Sequence, residues 1–178
     1  MTNPIWKFDP AHSSVTFKVR HMMFAKVHGR FASWQGDVAF DPEAPDNSRV
    51  DVRIAVESIE TGVADRDTHL RSADFFDAES FPEIRFSTSS FEKLNAETYR
   101  LTGELTIRDI TRELSFDAHY HGSGRDPWGN ERVGFGATTR VNRKDFGLTW
   151  NQVLETGGVM VGEDIAIEID AQLIKQAT

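Results

Sequence analysis

The chain contains no cysteine. That absence excludes disulfide staples, thiolate metal sites and a cysteine nucleophile. It also lacks any run approaching the roughly 18 apolar residues of a membrane-spanning helix, so no stable membrane insertion is expected. There is no basic block, and the formal net charge is −8. An acidic balance of that size opposes loose attachment to nucleic acid or anionic lipid. The first ten residues, Met-Thr-Asn-Pro-Ile-Trp-Lys-Phe-Asp-Pro, lack the apolar core of a secretory signal, and a cytoplasmic protein is expected on that ground. Neither G-x-S-x-G nor a P-loop occurs. Tyrosine is scarce too, with 2 Tyr against 13 Phe. Phe has no polar handle and suits a wholly apolar interior.

Strict alternation recurs along the 178 residues. Val15, Phe17, Val19 and His21 share one face of the first run. Residues 26–40 carry Val27, Gly29 and Phe31 on one parity, then Trp34, Gly36, Val38 and Phe40 on the other. A parity switch of that kind predicts a β-bulge within one strand. Further runs begin at Val50, Ile84, Leu101, Leu114, Val133 and Ile165, giving eight strands. Clean alternation means one dry and one wet face, as in antiparallel sheets. Strands of roughly 10–12 residues exceed the usual length. At about 3.3 Å per residue they span about 40 Å, or about 30 Å of barrel height when tilted. Closure removes exposed edges, so the expected fold is all-β, a single domain over residues 1–178: an extended eight-stranded antiparallel β-barrel. Residues 63–76 alone read as a short helix, with an ion pair from Asp67 to Arg71 and Thr61 near its start. Asn95-Ala96-Glu97 and Asp109-Ile110-Thr111 read as hairpin turns, and Gly122-Ser123-Gly124 to Asn130 as a turn-rich joint. Residues 142–162 are irregular, and Thr156–Gly162 places apolar residues between glycines at a loop tip.

Four phrases then stand in a fixed order: Asp9-Pro10-Ala11-His12-Ser13-Ser14-Val15-Thr16-Phe17 with Gly29-Arg30-Phe31; Arg66-Asp67-Thr68-His69-Leu70-Arg71-Ser72-Ala73-Asp74-Phe75-Phe76-Asp77 with Phe81-Pro82-Glu83-Ile84-Arg85-Phe86; Gly103-Glu104-Leu105-Thr106-Ile107-Arg108-Asp109-Ile110-Thr111; and Asn142-Arg143-Lys144-Asp145-Phe146-Gly147-Leu148. Together they resemble the YceI-like, polyisoprenoid-binding family over nearly the whole chain. The resemblance implies a lipocalin-like barrel whose interior takes a polyprenyl chain, an isoprenoid quinone or a related amphiphile. It also implies a homodimer, and in many members an exported protein, a point on which this N-terminus departs.

The expected ligand-binding set is Phe17, Val19, His21, Phe24, Phe31, Trp34, Arg66, His69, Leu70, Phe75, Ile84, Phe86, Leu105, Phe116, Phe135 and Ile167. The apolar members line a bore, and His21 stands at its mouth beside Met22, Met23 and Phe24. Arg66, His69 or Arg71 offers donors to a pyrophosphate. Arg143 and Asp145 read as a pair fixing a loop. Gly29, Gly103, Gly134 and Gly136 mark bends or room for ligand. No catalytic residue, cofactor or metal is assigned. Two other readings stay open. One is a metal-dependent enzyme using His119 and His121, although their parity points outward. The other is a filled barrel acting as an interaction protein, with Met22, Met23, Val159 and Met160 serving a partner.

Overall fold

The computed structural model describes residues 3–155 and 157–177, so Thr156 of the irregular loop lies outside the described residues. Its strands are β1 (Ile5–Phe8), β2 (Ser14–His21), β3 (Ala25–Phe31), β4 (Trp34–Ala39), β5 (Arg49–Ala55), β6 (Ile59–Glu60), β7 (Glu83–Lys93), β8 (Thr98–Ile107), β9 (Ile110–Arg125), β10 (Glu131–Asn142) and β11 (Asp164–Lys175), with one α-helix, α1 (Ala64–Arg71). Every pairing is antiparallel.

β1 and β2 lie end to end along one edge of β11, against Leu173–Lys175 and Ala166–Asp170 respectively. β3 and β4 follow them in the same way, β3 on β2 and β4 on β1. Counted through these interruptions, the wall has eight strands and closes where β1 meets β11. This is the expected lipocalin-like barrel, with α1 across one end.

The parity switch in residues 26–40 is a break, not a bulge within one strand. Ala32 and Ser33 leave the ladder, and their backbone groups pair with Ser58 and Ala55. On the neighbouring strand the chain leaves the ladder between Phe8 and Ser14. That loop is fixed by charge. The Asp9 carboxylate accepts from Arg132 Nη1 at 2.6 Å, His12 Nδ1 at 2.8 Å and the Ala11 amide at 3.0 Å. Arg132 also holds Asp126 at 2.7 Å. The Asp9 amide and the Ser13 hydroxyl both donate to the Gln172 carbonyl. Backbone pairing between the two interrupted strands stops at Lys7–Asp37 and resumes at Thr16–Arg30. The barrel wall is therefore unzipped in between.

Two sequence expectations shift by a few residues. The β8–β9 turn is Arg108–Asp109, because Ile107 already pairs with Ile110. Gly122, Ser123 and Gly124 are inside β9, which absorbs His121 as a bulge, with Gly134 opposite Gly122 and Phe135 opposite Tyr120.

The inward side chains form two clusters. One, beside α1, is built on Val15, Phe31, Ile59, Phe75, Ile84, Leu105, Phe146 and Leu148. The other, beside β1 and the β9–β10 hairpin, is built on Trp6, Val38, Phe40, Phe91, Tyr99, Leu101, Val133 and Leu173.

Candidate ligand-binding cavity

An apolar cavity of about 110 Å³ is lined by inward side chains that include Phe8, Phe40, Phe86, Phe116, Phe135 and Ile169. Among the described residues no polar side chain lines it. Phe8, Val50, Phe86, Phe116, Phe135 and Ile169 all point inward, yet none is fully buried. An inward side chain keeps accessible surface only where it fronts open space, so this part of the barrel is not filled.

The hollow does not run the length of the barrel. Near α1 the centre is closed by ring contacts, Phe17 to Phe31 at 5.6 Å and Phe31 to Phe76 at 6.1 Å. At the opposite end Phe40 meets Phe91, Tyr99 and Phe135 at 5.3–6.0 Å. Alternation specifies which side chains face inward; whether large rings then meet depends on how near the elements that carry them come.

A second cleft, of about 340 Å³, lies at the unzipped part of the wall. It is lined by the outward-facing Lys7, Gln35, Asp37 and Arg53 together with the inward-facing Phe8, Trp34 and Gly36. Side chains of both parities around one cleft mark a gap through the sheet. Phe8 lines both cleft and cavity, and its ring stands edge-on to Trp34 at 4.9 Å. Lys7 is held by Asp37, whose carboxyl it keeps below the usual range.

The expected binding residues fall into four groups. Phe86, Phe116 and Phe135 line the cavity. Phe17, Phe31, Trp34, Leu70, Phe75, Ile84 and Leu105 belong to the packed cluster beside α1. Val19 and Ile167 are half-buried on inward parities of β2 and β11. The polar candidates and Phe24 lie apart from the hollow. Arg66 donates to the Thr61 hydroxyl and carbonyl, both at 2.7 Å. His69 reaches Asp74 at 2.9 Å and packs on Phe75 and Trp150. His21 is at the end of β2, bridged to Val161, and Phe24 is exposed to solvent. Cavity residues outside the expected set, such as Phe8, Phe40 and Leu101, carry the same alternation as those within it. No further sequence signal separates lining from packing.

Two predicted ion pairs are replaced by backbone contacts. Asp67 is buried and accepts from the Thr61 amide at 2.9 Å, while Arg71 donates to the carbonyls of Glu57 and Ile59. Arg143 does fix its loop, but without Asp145. It is buried and donates to the carbonyls of Gly162, Leu148, Trp150 and Val161 at 2.7–3.2 Å. Burial lowers its pKa from the usual arginine value. His119 and His121 both face outward. His119 lies near the Thr98 hydroxyl and His121 covers Gly136. Among the described residues no three His, Asp or Glu side chains gather as a metal site.

No helix among the described residues is long and apolar enough to cross a membrane. The fold matches that of BcnA from Burkholderia cenocepacia, with a TM-score of 0.81 at 22% identity over 96% of this chain and 99% of that one. It also matches a polyisoprenoid binding domain from Saccharophagus degradans, with a TM-score of 0.72 at 12% identity over 96% and 98%. A UPF0312 protein of Staphylococcus aureus (strain N315) is 39% identical over 175 residues, 97% of each chain. The model of the YceI-like domain matches residues 6–173, from within β1 to within β11, and the chain belongs to the YceI-like family.

Proposed function

We propose that the barrel binds a long apolar amphiphile, an isoprenoid-type lipid such as a polyisoprenoid or an isoprenoid quinone, for storage or transport rather than catalysis. The observation that carries this reading is the apolar cavity fronted by half-buried Phe rings. Burying apolar surface gains about 25 cal/mol per Å², so such a site needs few polar contacts. The fold-sharing domain from Saccharophagus degradans is described as polyisoprenoid binding, which supports the same ligand class. At about 110 Å³ the hollow is smaller than the cavity of about 150 Å³ that takes one benzene ring. A long chain therefore needs Phe86, Phe116 and Phe135 to swing aside, and the gap beside Phe8 offers a lateral way in.

Organic extraction of the natively purified protein followed by mass spectrometry tests the reading, together with thermal shifts against isoprenoid quinones of graded length. The expected result is a co-purifying prenyl lipid and a melting temperature that rises with a matching chain. A lipid-free extract together with no shift at any length overturns it.

A further inference from the structure

The net charge of −8 counts against an anionic partner for the molecule as a whole, but one region reverses that sign. Residues 10–36 contain no Asp or Glu, although the chain has 28 acids in 178 residues. They include the whole β2–β3 hairpin, residues 14–31. On its outer face Arg20 stands opposite Lys26, and Lys18 opposite His28. Arg20 and Lys26 are like charges directly across the ladder and repel. Lys18, Arg20 and Lys26 have no ion-pair partner among the described residues. Of the acids nearby, Glu60 is taken by Arg30 and Glu163 by Lys144, while Asp164, Glu168 and Asp170 of the adjoining β11 have no ion-pair partner among the described residues, Glu168 standing opposite Thr16 and Asp170 opposite Ser14.

The hairpin's tip is apolar. Hairpin turns usually carry Gly, Asn or Asp, which tolerate left-handed backbone. Here Met22 and Met23 take it, at φ 53° and 71°. Phe24 is 83% exposed, and Val153, in the adjoining loop, 78%. The tip is nonetheless braced. The Met22 amide donates to the Met160 carbonyl at 2.7 Å, and the Met23 side chain lies over Gly158.

We propose that the β2–β3 hairpin docks the protein on an anionic lipid surface, with Met22, Met23 and Phe24 entering the acyl boundary and Arg20 and Lys26 meeting lipid phosphates. An apolar tip with the cations Arg20 and Lys26 just behind it matches the layered chemistry of that interface. This inference does not rest on the interior cargo.

Because the chain has no cysteine, Phe24→Cys can carry a single environment-sensitive fluorophore. Trp128→Cys, 80% exposed at the opposite end, is the control. The probes are vesicles of phosphatidylcholine, alone or with about a third phosphatidylglycerol. The label at 24 is expected to shift to the blue with anionic vesicles only, and less at high salt, while the label at 128 stays unchanged. In co-sedimentation, Phe24→Ser should lower binding about ten-fold, and Arg20→Gln with Lys26→Gln by a similar factor, all with unchanged melting temperatures.

Equal shifts at 24 and 128, equal binding to uncharged vesicles, or no binding overturns the proposal. So does a dimer that Phe24→Ser converts to a monomer, which assigns the tip to a second copy of the chain. A lipid-loaded protein that ignores vesicles ends the docking idea and leaves the cargo reading standing. A cargo-free protein that still binds them through Phe24 does the reverse.

Discussion

Gly29 and Gly103 occupy equivalent-looking places in alternating strands but are crowded differently. A Cβ at Gly29 would sit 2.2 Å from the Phe17 ring, its cross-strand partner. One at Gly103 would meet the Phe86 ring at 2.8 Å and also the Ser87 backbone carbonyl at 2.4 Å. A ring can be shortened, whereas a paired backbone cannot move without breaking the ladder. Gly29→Ala and Gly103→Ala should each cost about 1–3 kcal/mol in urea unfolding. Adding Phe17→Leu should recover part of the first loss, but Phe86→Leu none of the second. Equal rescue at both sites would show that the rings alone exclude the side chain. Asp9 gives a second test at this scale. Its hydrogen bonds from Arg132 and then His12 lower its pKa to about 2. An unfolded Asp titrates at about 3.9, so Asp9 adds stability that is complete above that value and lost as pH falls through about 2. Asp9→Asn should be less stable by about 1–3 kcal/mol at neutral pH. The gap to the parent should close between about pH 4 and pH 2. A constant difference across that window, in denaturant midpoints taken at each pH, would refute the assignment.

Among the elements, the irregular segment after β10 depends on one side chain. Arg143 ties the carbonyls of Leu148, Trp150, Val161 and Gly162 into a single knot. Lysine has no planar fork with which to serve several carbonyls. Arg143→Lys and Arg143→Ala should therefore both destabilise, the latter by about 2–4 kcal/mol. Amide exchange should rise first at residues 148–162 rather than in β8 or β9; protection that falls evenly over the barrel would place the role of Arg143 elsewhere. The knot also shows where sequence reading stops. Strands were legible because Leu101, Leu105 and Ile107 repeat with the period of a pleat, and α1 because its residues break that period. Partners of long charged side chains leave no such trace. Arg132 reaches Asp9 across 123 positions, and Arg143 prefers four carbonyls to the carboxylate two residues away. The break at Ala32–Ser33 produces the same parity switch as a bulge, and only the pairing of β3 and β4 with different strand segments tells them apart.

At the scale of the whole molecule, the sequence specifies which rings face inward but not whether they touch. Phe31 and Phe135 are indistinguishable by parity and composition. In the barrel, Phe31 is 9% exposed and wedged between Phe17 and Phe76, whereas Phe135 fronts the hollow. Truncating either to Ala should cost about 3–5 kcal/mol in the empty protein. Their effects on an isoprenoid ligand should differ. Phe135→Ala enlarges the space the ligand fills, so ligand should restore part of the lost stability and raise the melting temperature more than in the parent. Phe31→Ala opens a void within the packed half, and its ligand-induced shift should equal the parent's. If both variants raise the shift above the parent's, ligand occupies the full length of the barrel and the cluster beside α1 opens to admit it. If neither shift differs from the parent's, the ligand is bound outside the hollow, with the cleft beside Phe8 and Arg53 the next place to probe.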